Sequence, residues 1–217
     1  MKRGLIAFLC LAAGLWLSAG INRWSTEGPY GGVIHFLTVD PQTPNVLFAV
    51  VSRGGFFRSR NWGQSWEQIN AFAYPVSTVF IHPLQHELVF VSTSNGIARS
   101  TDGGDTWSPT NAYGEHVAIL IHPDQPDVMY AAGLYSYGCW RSTDRGVTWT
   151  KRSSFNDQIH GMSILPVPPY SLFVPTWKSG ILRSDDGGAT WTPIYPAEGG
   201  YCHVACHPYR PGWIYAS

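Results

Sequence analysis

Ser100-Thr101-Asp102-Gly103-Gly104-Asp105-Thr106-Trp107 is one of four copies of a single octet. The others run from Ser59 to Trp66, from Ser142 to Trp149 and from Ser184 to Trp191, and the four starts lie 41, 42 and 42 residues apart. The third position carries a short acceptor each time: Asn61, Asp102, Asp144 and Asp186. Such a side chain binds backbone N–H groups within its own turn. The fifth position is glycine (Gly63, Gly104, Gly146, Gly188), as a left-handed backbone favours. The eighth is tryptophan (Trp66, Trp107, Trp149, Trp191), a ring that buries about 150–250 Å² when it returns to a sheet. The octet reads as a structural turn. Asn61 keeps the acceptor oxygen without the charge, so the first copy is expected to fold like the others.

Each octet follows Gly, two variable residues and Arg: Gly55 to Arg58, Gly96 to Arg99, Gly138 to Arg141, Gly180 to Arg183. Further upstream, an apolar strand ends at Pro41, Pro83, Pro123, Pro166 and Pro208, and a second apolar run follows each proline. One unit therefore reads strand A, proline turn, strand B, short turn, strand C, octet, strand D. Four short antiparallel strands in about 42 residues make one propeller blade. The expected fold is all-β: a β-propeller with four full four-stranded blades and a partial fifth from Tyr201 to Ser217. Trp24 stands where an octet tryptophan would, so Asn22–Thr26 is expected to be a closing strand D. The fifth unit stops in strand B, which predicts a piece of a longer protein, incomplete at its C-terminus. A five-bladed ring with a defective last blade is the alternative.

Fourteen basic residues balance fourteen acidic ones, which excludes an electrostatic footprint for nucleic acid. Residues 1–20 differ from the rest: Lys2 and Arg3, an apolar run from Leu5 to Leu17, then Ser18-Ala19-Gly20. That layout predicts a secretory signal, with the propeller over 21–217 and a secreted, periplasmic or cell-surface location. Retention of the segment as an anchor is the alternative, and only then is a membrane a partner. Three cysteines remain after the signal (Cys139, Cys202, Cys206), an odd number that makes no disulfide framework.

The octet resembles the Asp-box, or bacterial neuraminidase repeat, Ser-x-Asp-x-Gly-x-Thr-Trp. The resemblance spans essentially everything after the signal, and it implies that the box joins the third and fourth strands of a blade, outside the ligand site. One carboxylate per turn is far short of the roughly 6–8 oxygens that calcium takes, so no metal or cofactor is expected.

Relatives with this repeat have different functions. Sialidases carry an early Arg-Ile-Pro motif that is absent here, and an arginine repeated before every box suits a scaffold role. Tyr30-Gly-Gly…Val39-Asp-Pro…Leu47-Phe-Ala…Gly54-Gly-Phe-Phe-Arg58 resembles the opening of xyloglucanase-type glycosidases. There an aspartate two positions before the glycine pair serves as base; the matching residue is Ser52, which cannot replace a carboxylate. Sortilin-type receptors and the photosystem II assembly factor use such blades for binding. Cys202-His-Val-Ala-Cys206-His207 is one residue too long for c-type haem attachment, and the two cysteines are expected to be small buried hydrophobes. His82, His122 and His207 read as turn residues.

The D-to-A and B-to-C loops should open away from the boxes. There stand the ligand-face candidates Tyr30, Arg53, Tyr74, Tyr113, Glu115, His116, Tyr135, Tyr137, Asp157, His160, Trp177, Lys178 and Tyr201. Exposed aromatics beside polar groups suit sugar stacking or a protein contact. Phe72, Phe155 and Tyr195 stand on the same loops, and the alternative is that many of these rings pack between blades. The expected function is an exported binding or scaffold module that recognises carbohydrate or protein. A glycoside hydrolase whose acids lie partly beyond Ser217 is the second reading, and an assembly factor the third.

Overall fold

The computed structural model describes residues 32–52, 55–134, 138–196, 203–207, 209–210 and 212–217. The expected signal at 1–20 and closing strand at 22–26 lie outside them. The described residues form strands only, in four four-stranded antiparallel sheets and one two-stranded sheet. The first holds β1 (Ile34–Val39), β2 (Leu47–Val51), β3 (Gly55–Ser59) and β4 (Glu67–Ile69) in that order. The second holds β5 (Val76–Ile81), β6 (Val89–Thr93), β7 (Gly96–Ser100) and β8 (Ser108–Pro109). The third holds β9 (His116–Ile121), β10 (Met129–Gly133), β11 (Gly138–Ser142) and β12 (Thr150–Ser153). The fourth holds β13 (Ser163–Ile164), β14 (Leu172–Pro175), β15 (Ile181–Ser184) and β16 (Thr192–Tyr195). β17 (Val204–Cys206) and β18 (Ile214–Ala216) are the partial fifth.

Strand A carries the same irregularity in three blades, skipping a residue near positions 35, 77 and 117. Such a bulge bends the strand and sharpens its twist. Between blades lie hydrophobic clusters, each built from two neighbouring sheets: Phe48, Val50 and Phe56 meet Val79, Ile81 and Val91, for example. Because both faces of a middle sheet are covered, its inner strands are buried throughout: Val89 to Thr93 are all inside, and the two polar positions, Ser92 and Thr93, are hydrogen-bonded.

The boxes are self-contained. Ser100 Oγ accepts the Gly104 N–H (2.8 Å) and donates to Asp102 (2.7 Å). The Asp102 carboxylate accepts the Thr106 N–H (2.9 Å) and hydroxyl (2.6 Å), and Trp107 Nε1 donates to the Gly104 carbonyl (3.1 Å). The threonine bonds hold the carboxyls of Asp102 and Asp186 well below the usual range. In the first box Asn61 Oδ1 accepts the Ser59 hydroxyl (3.0 Å) and the Ser65 N–H (2.9 Å), so the uncharged acceptor closes the turn as expected.

The second, third and fourth boxes are also the contacts with the preceding blade. Trp107 packs edge-on to Phe56 (5.9 Å) and Phe72 (5.2 Å), and Trp191 to Phe155 (5.2 Å). Ala112 holds the equivalent place beside the buried Trp149, whose backbone is bracketed by the Asn111 amide. Each ring contributes roughly 4–6 kcal/mol of transfer free energy before entropy is counted. Phe72 and Phe155 thus belong to the core between blades.

The first two of the arginines before the boxes point forward to the next blade, whereas Arg183 pairs with Asp185 of its own box. Arg58 Nη1 donates to the Gly103 carbonyl (2.6 Å), and Arg99 Nε to the Arg145 carbonyl (3.1 Å). Both acceptors are the fourth residue of a box. A second tie links the proline turns: Gln42 donates to the Pro83 carbonyl (2.6 Å) and His82 Nε2 lies 3.2 Å from the Pro126 carbonyl. His82 Nδ1 accepts the Leu84 N–H (3.2 Å), which leaves Nε2 as the protonated nitrogen. His122 and His207 accept backbone N–H groups in the same way, so all three serve as turn caps.

Candidate binding face

Antiparallel order places the proline turns and boxes at one end of each sheet, and the B-to-C and D-to-A connections at the other. Of the candidates on that second end, Tyr30, Arg53, Tyr135, Tyr137 and Tyr201 lie outside the described residues. Tyr74, Tyr113 and Trp177 are each about half exposed. Tyr74 and Tyr113 ride successive D-to-A connections, after β4 and β8; Trp177 sits on the turn between β14 and β15.

Tyr74 stands on the ridge between two grooves. One, of about 400 Å³, is lined by Gln68, Asn70, Phe72, Tyr74 and Pro75, with Gly55 and Phe56 behind. The other, of about 240 Å³, takes Thr93, Asn95, Trp107 and Thr110 on the far side of the same loop. The described lining of both grooves carries no charged side chain. Rings beside amides and hydroxyls can stack on and hydrogen-bond to a neutral ligand. Gln68, Asn70 and Asn95 were not singled out by sequence; the available signal was their position at strand ends flanking an aromatic loop.

The remaining candidates divide differently. Lys178 is exposed, while Asp157 is a structural clamp: its carboxylate accepts the N–H groups of Lys178 (2.7 Å), Ser179 (2.8 Å) and Gln158 (2.8 Å). Partial burial alone would raise its pKa, and these N–H groups hold it below the usual range. Glu115 is half-buried, and its carbonyl accepts the Leu134 N–H (2.8 Å). His160 is half-buried, with Nε2 unpartnered. His116 is a correction: it is fully buried, not on the open face. It occupies the strand-A position of Val76 and Ile159, a core slot, and its ring packs edge-on to Trp140 (6.1 Å). The pattern around His116 offered no reason to separate it from the polar Glu115 beside it.

The cysteines also differ from expectation in part. Cys139 is buried against the Gly188 box position, and burial pushes its thiol up to about 12. Cys206 is only half-buried, with its N–H on Ser163 Oγ (3.1 Å); Cys202 lies outside the described residues.

Consecutive four-stranded sheets tied through their third-to-fourth-strand corners define a β-propeller chain. The BNR/Asp-box repeat matches residues 98–109, which hold the second octet. No curated protein matches the chain. Solved structures share the fold. An ancestral GH74 enzyme superposes with a TM-score of 0.73 at 19% identity, covering 85% of this chain and 27% of that one. The GH74 xyloglucanase from Xanthomonas campestris gives 0.69 at 15%, covering 84% and 34%. YCF48 bound to D1 peptide gives 0.62 at 16%, covering 84% and 61%. The chain thus spans between a quarter and two thirds of the length of these neighbours.

Proposed function

We propose that this chain is part of an exported binding module whose D-to-A and B-to-C loops hold a neutral glycan. The observation that carries the reading is the half-exposed Tyr74 between two grooves whose described lining is uncharged. A sugar face stacks on such a ring while hydroxyls meet Gln68, Asn70 and Asn95. Hydrolysis is the weaker reading despite the xyloglucanase neighbours. Ser52 stands in place of the base, and Asp157 is committed to three backbone N–H groups. A glycosidase needs two carboxylates flanking one bond. A protein ligand is the second reading, favoured by the fold shared with YCF48 bound to D1 peptide.

The test is a glycan array probed with the chain, followed by calorimetry on Tyr74→Ala. Binding to uncharged oligosaccharides, weakened more than tenfold by the substitution, is the expected result. A blank array with a co-purifying protein partner would replace it with the second reading.

A further inference from the structure

His116 is fully buried, and neither ring nitrogen makes a well-formed hydrogen bond, the Gly114 carbonyl being near enough only to interact weakly with the ring. In the neighbouring blades the same slot holds Val76 and Ile159, also buried. A titratable ring therefore sits where the repeat otherwise places an aliphatic one. The site lies where a loop enters a strand. His116 opens β9 directly after the loop that carries Tyr113, and the strand-A bulge follows at once. Its N–H is held by Ser92 Oγ (2.8 Å) and its carbonyl accepts the Thr78 hydroxyl (3.4 Å). Its ring and that of Tyr113 both lie edge-on to Trp140, at 6.1 and 5.0 Å.

We propose that His116 is an acid-triggered latch: neutral, it fastens the 111–116 loop to the second and third blades; protonated, it leaves its slot and frees the loop with Tyr113. The inference concerns local opening and stands whether or not the face binds a glycan. An imidazolium in that slot finds no described carboxylate to pair with. β5 and β6 carry no titratable side chain. On β10 and β11, Tyr130, Cys139 and Arg141 belong to the opposite face, toward the fourth blade. The loop itself brings Tyr113 and Glu115, and no charged side chain contributes to the acidity of the ring. Burial lowers His116 to about 4, and the Gly114 carbonyl offsets this only in part.

The sign follows from linkage. The opened state titrates near 6.5 and the closed state near 4, so opening is favoured as pH falls between them. At pH 4.5 the opening equilibrium shifts on the order of 50-fold relative to pH 7.5. Hydrogen exchange on the full chain at the two pH values, corrected for intrinsic rates, reads this directly. Residues 112–118 should lose protection by tens of fold while β2, β3 and the 100–107 box hold theirs. His116→Val, the residue found at position 76, should lose less than twofold. Titration of the His116 ring by NMR in the unaltered chain is the second measurement, and should give a midpoint well below 6.5. Retained protection at pH 4.5, equal loss in the variant, loss over all blades together, or an ordinary midpoint would each overturn the latch.

Discussion

Arg58 of the first blade donates to the Gly103 carbonyl of the second across 2.6 Å, and its remaining nitrogens reach Glu67 (2.5 Å) and Asp105 (2.6 Å). The arginine is almost wholly buried while both carboxylates are half exposed. Arg58→Ala should destabilise the chain by about 2–3 kcal/mol, less than a fully buried pair because water screens the carboxylates. Arg58→Lys should recover only part, since an ammonium cannot serve three acceptors in the guanidinium plane. Urea titrations of the three proteins, with unchanged slopes, are the check.

Positive φ alone does not explain the glycine at the fifth box position. The fourth residue also has positive φ in all four boxes, at 63° for Trp62 and 57° for Arg145, and it accepts large side chains. The fifth is different because the preceding blade lies against it. A Cβ on Gly146 would collide with the Phe90 ring, and one on Gly104 would stand 3.1 Å from Phe48, whereas one on Gly103 meets nothing. Gly146→Ala should therefore cost more than 2 kcal/mol, and Gly103→Ala about 1 kcal/mol or less. Thermal melts of the pair would show the contrast; equal costs would refute it.

The third box position can be tested against its own natural variant. Asp102→Ala removes the acceptor for Thr106 and Ser100 and should cost about 2 kcal/mol, while Asp102→Asn, which copies Asn61, should cost less than about 1. The carboxyls of Asp102 and Asp186 are held below their ordinary range by the threonine bonds. Their contribution is thus complete above about pH 4 and is lost as pH falls through the acidic range toward their folded values. Acid unfolding of Asp102→Asn should start from the same midpoint or higher pH and show a shallower slope.

Leu37 and Val39 on β1 are 53% and 47% exposed, although the equivalent Val79 and Ile81 on β5 are 4% and 6%. Ile34, on the same face across the bulge, continues the stripe at 47%. An apolar row of this kind promotes association. The 217-residue chain should bind a hydrophobic dye and self-associate on light scattering, and Leu37→Glu should reduce both without lowering the melting temperature by more than a degree or two.

Sequence carried the fold because the deciding chemistry is local and repeated. A serine, a short acceptor, a glycine and a tryptophan at fixed spacing fold the same turn wherever they occur, and the proline turns supply the phase. The scaffold role of the arginines was legible for the same reason, from repetition, though not the carbonyls that Arg58 and Arg99 reach. The face was less legible because single residues there depend on what comes from other blades. Nothing near Asp157 in the chain announces the Lys178 and Ser179 N–H groups, and nothing near His116 announces Ser92 or Trp140. Phe72 and Tyr74 are two residues apart in one loop, yet one packs on Trp107 and the other stands at the surface.

At the first two seams the forward-reaching arginine and the backward-packing box give the joint the same polarity. A 42-residue segment copied in phase therefore arrives with both halves of the joint it needs: a cation for its successor and a carbonyl for its predecessor. Gain or loss of whole units leaves the surviving seams chemically unchanged, while an insertion out of phase breaks two of them. Such an array varies its circumference by duplication far more readily than by point mutation.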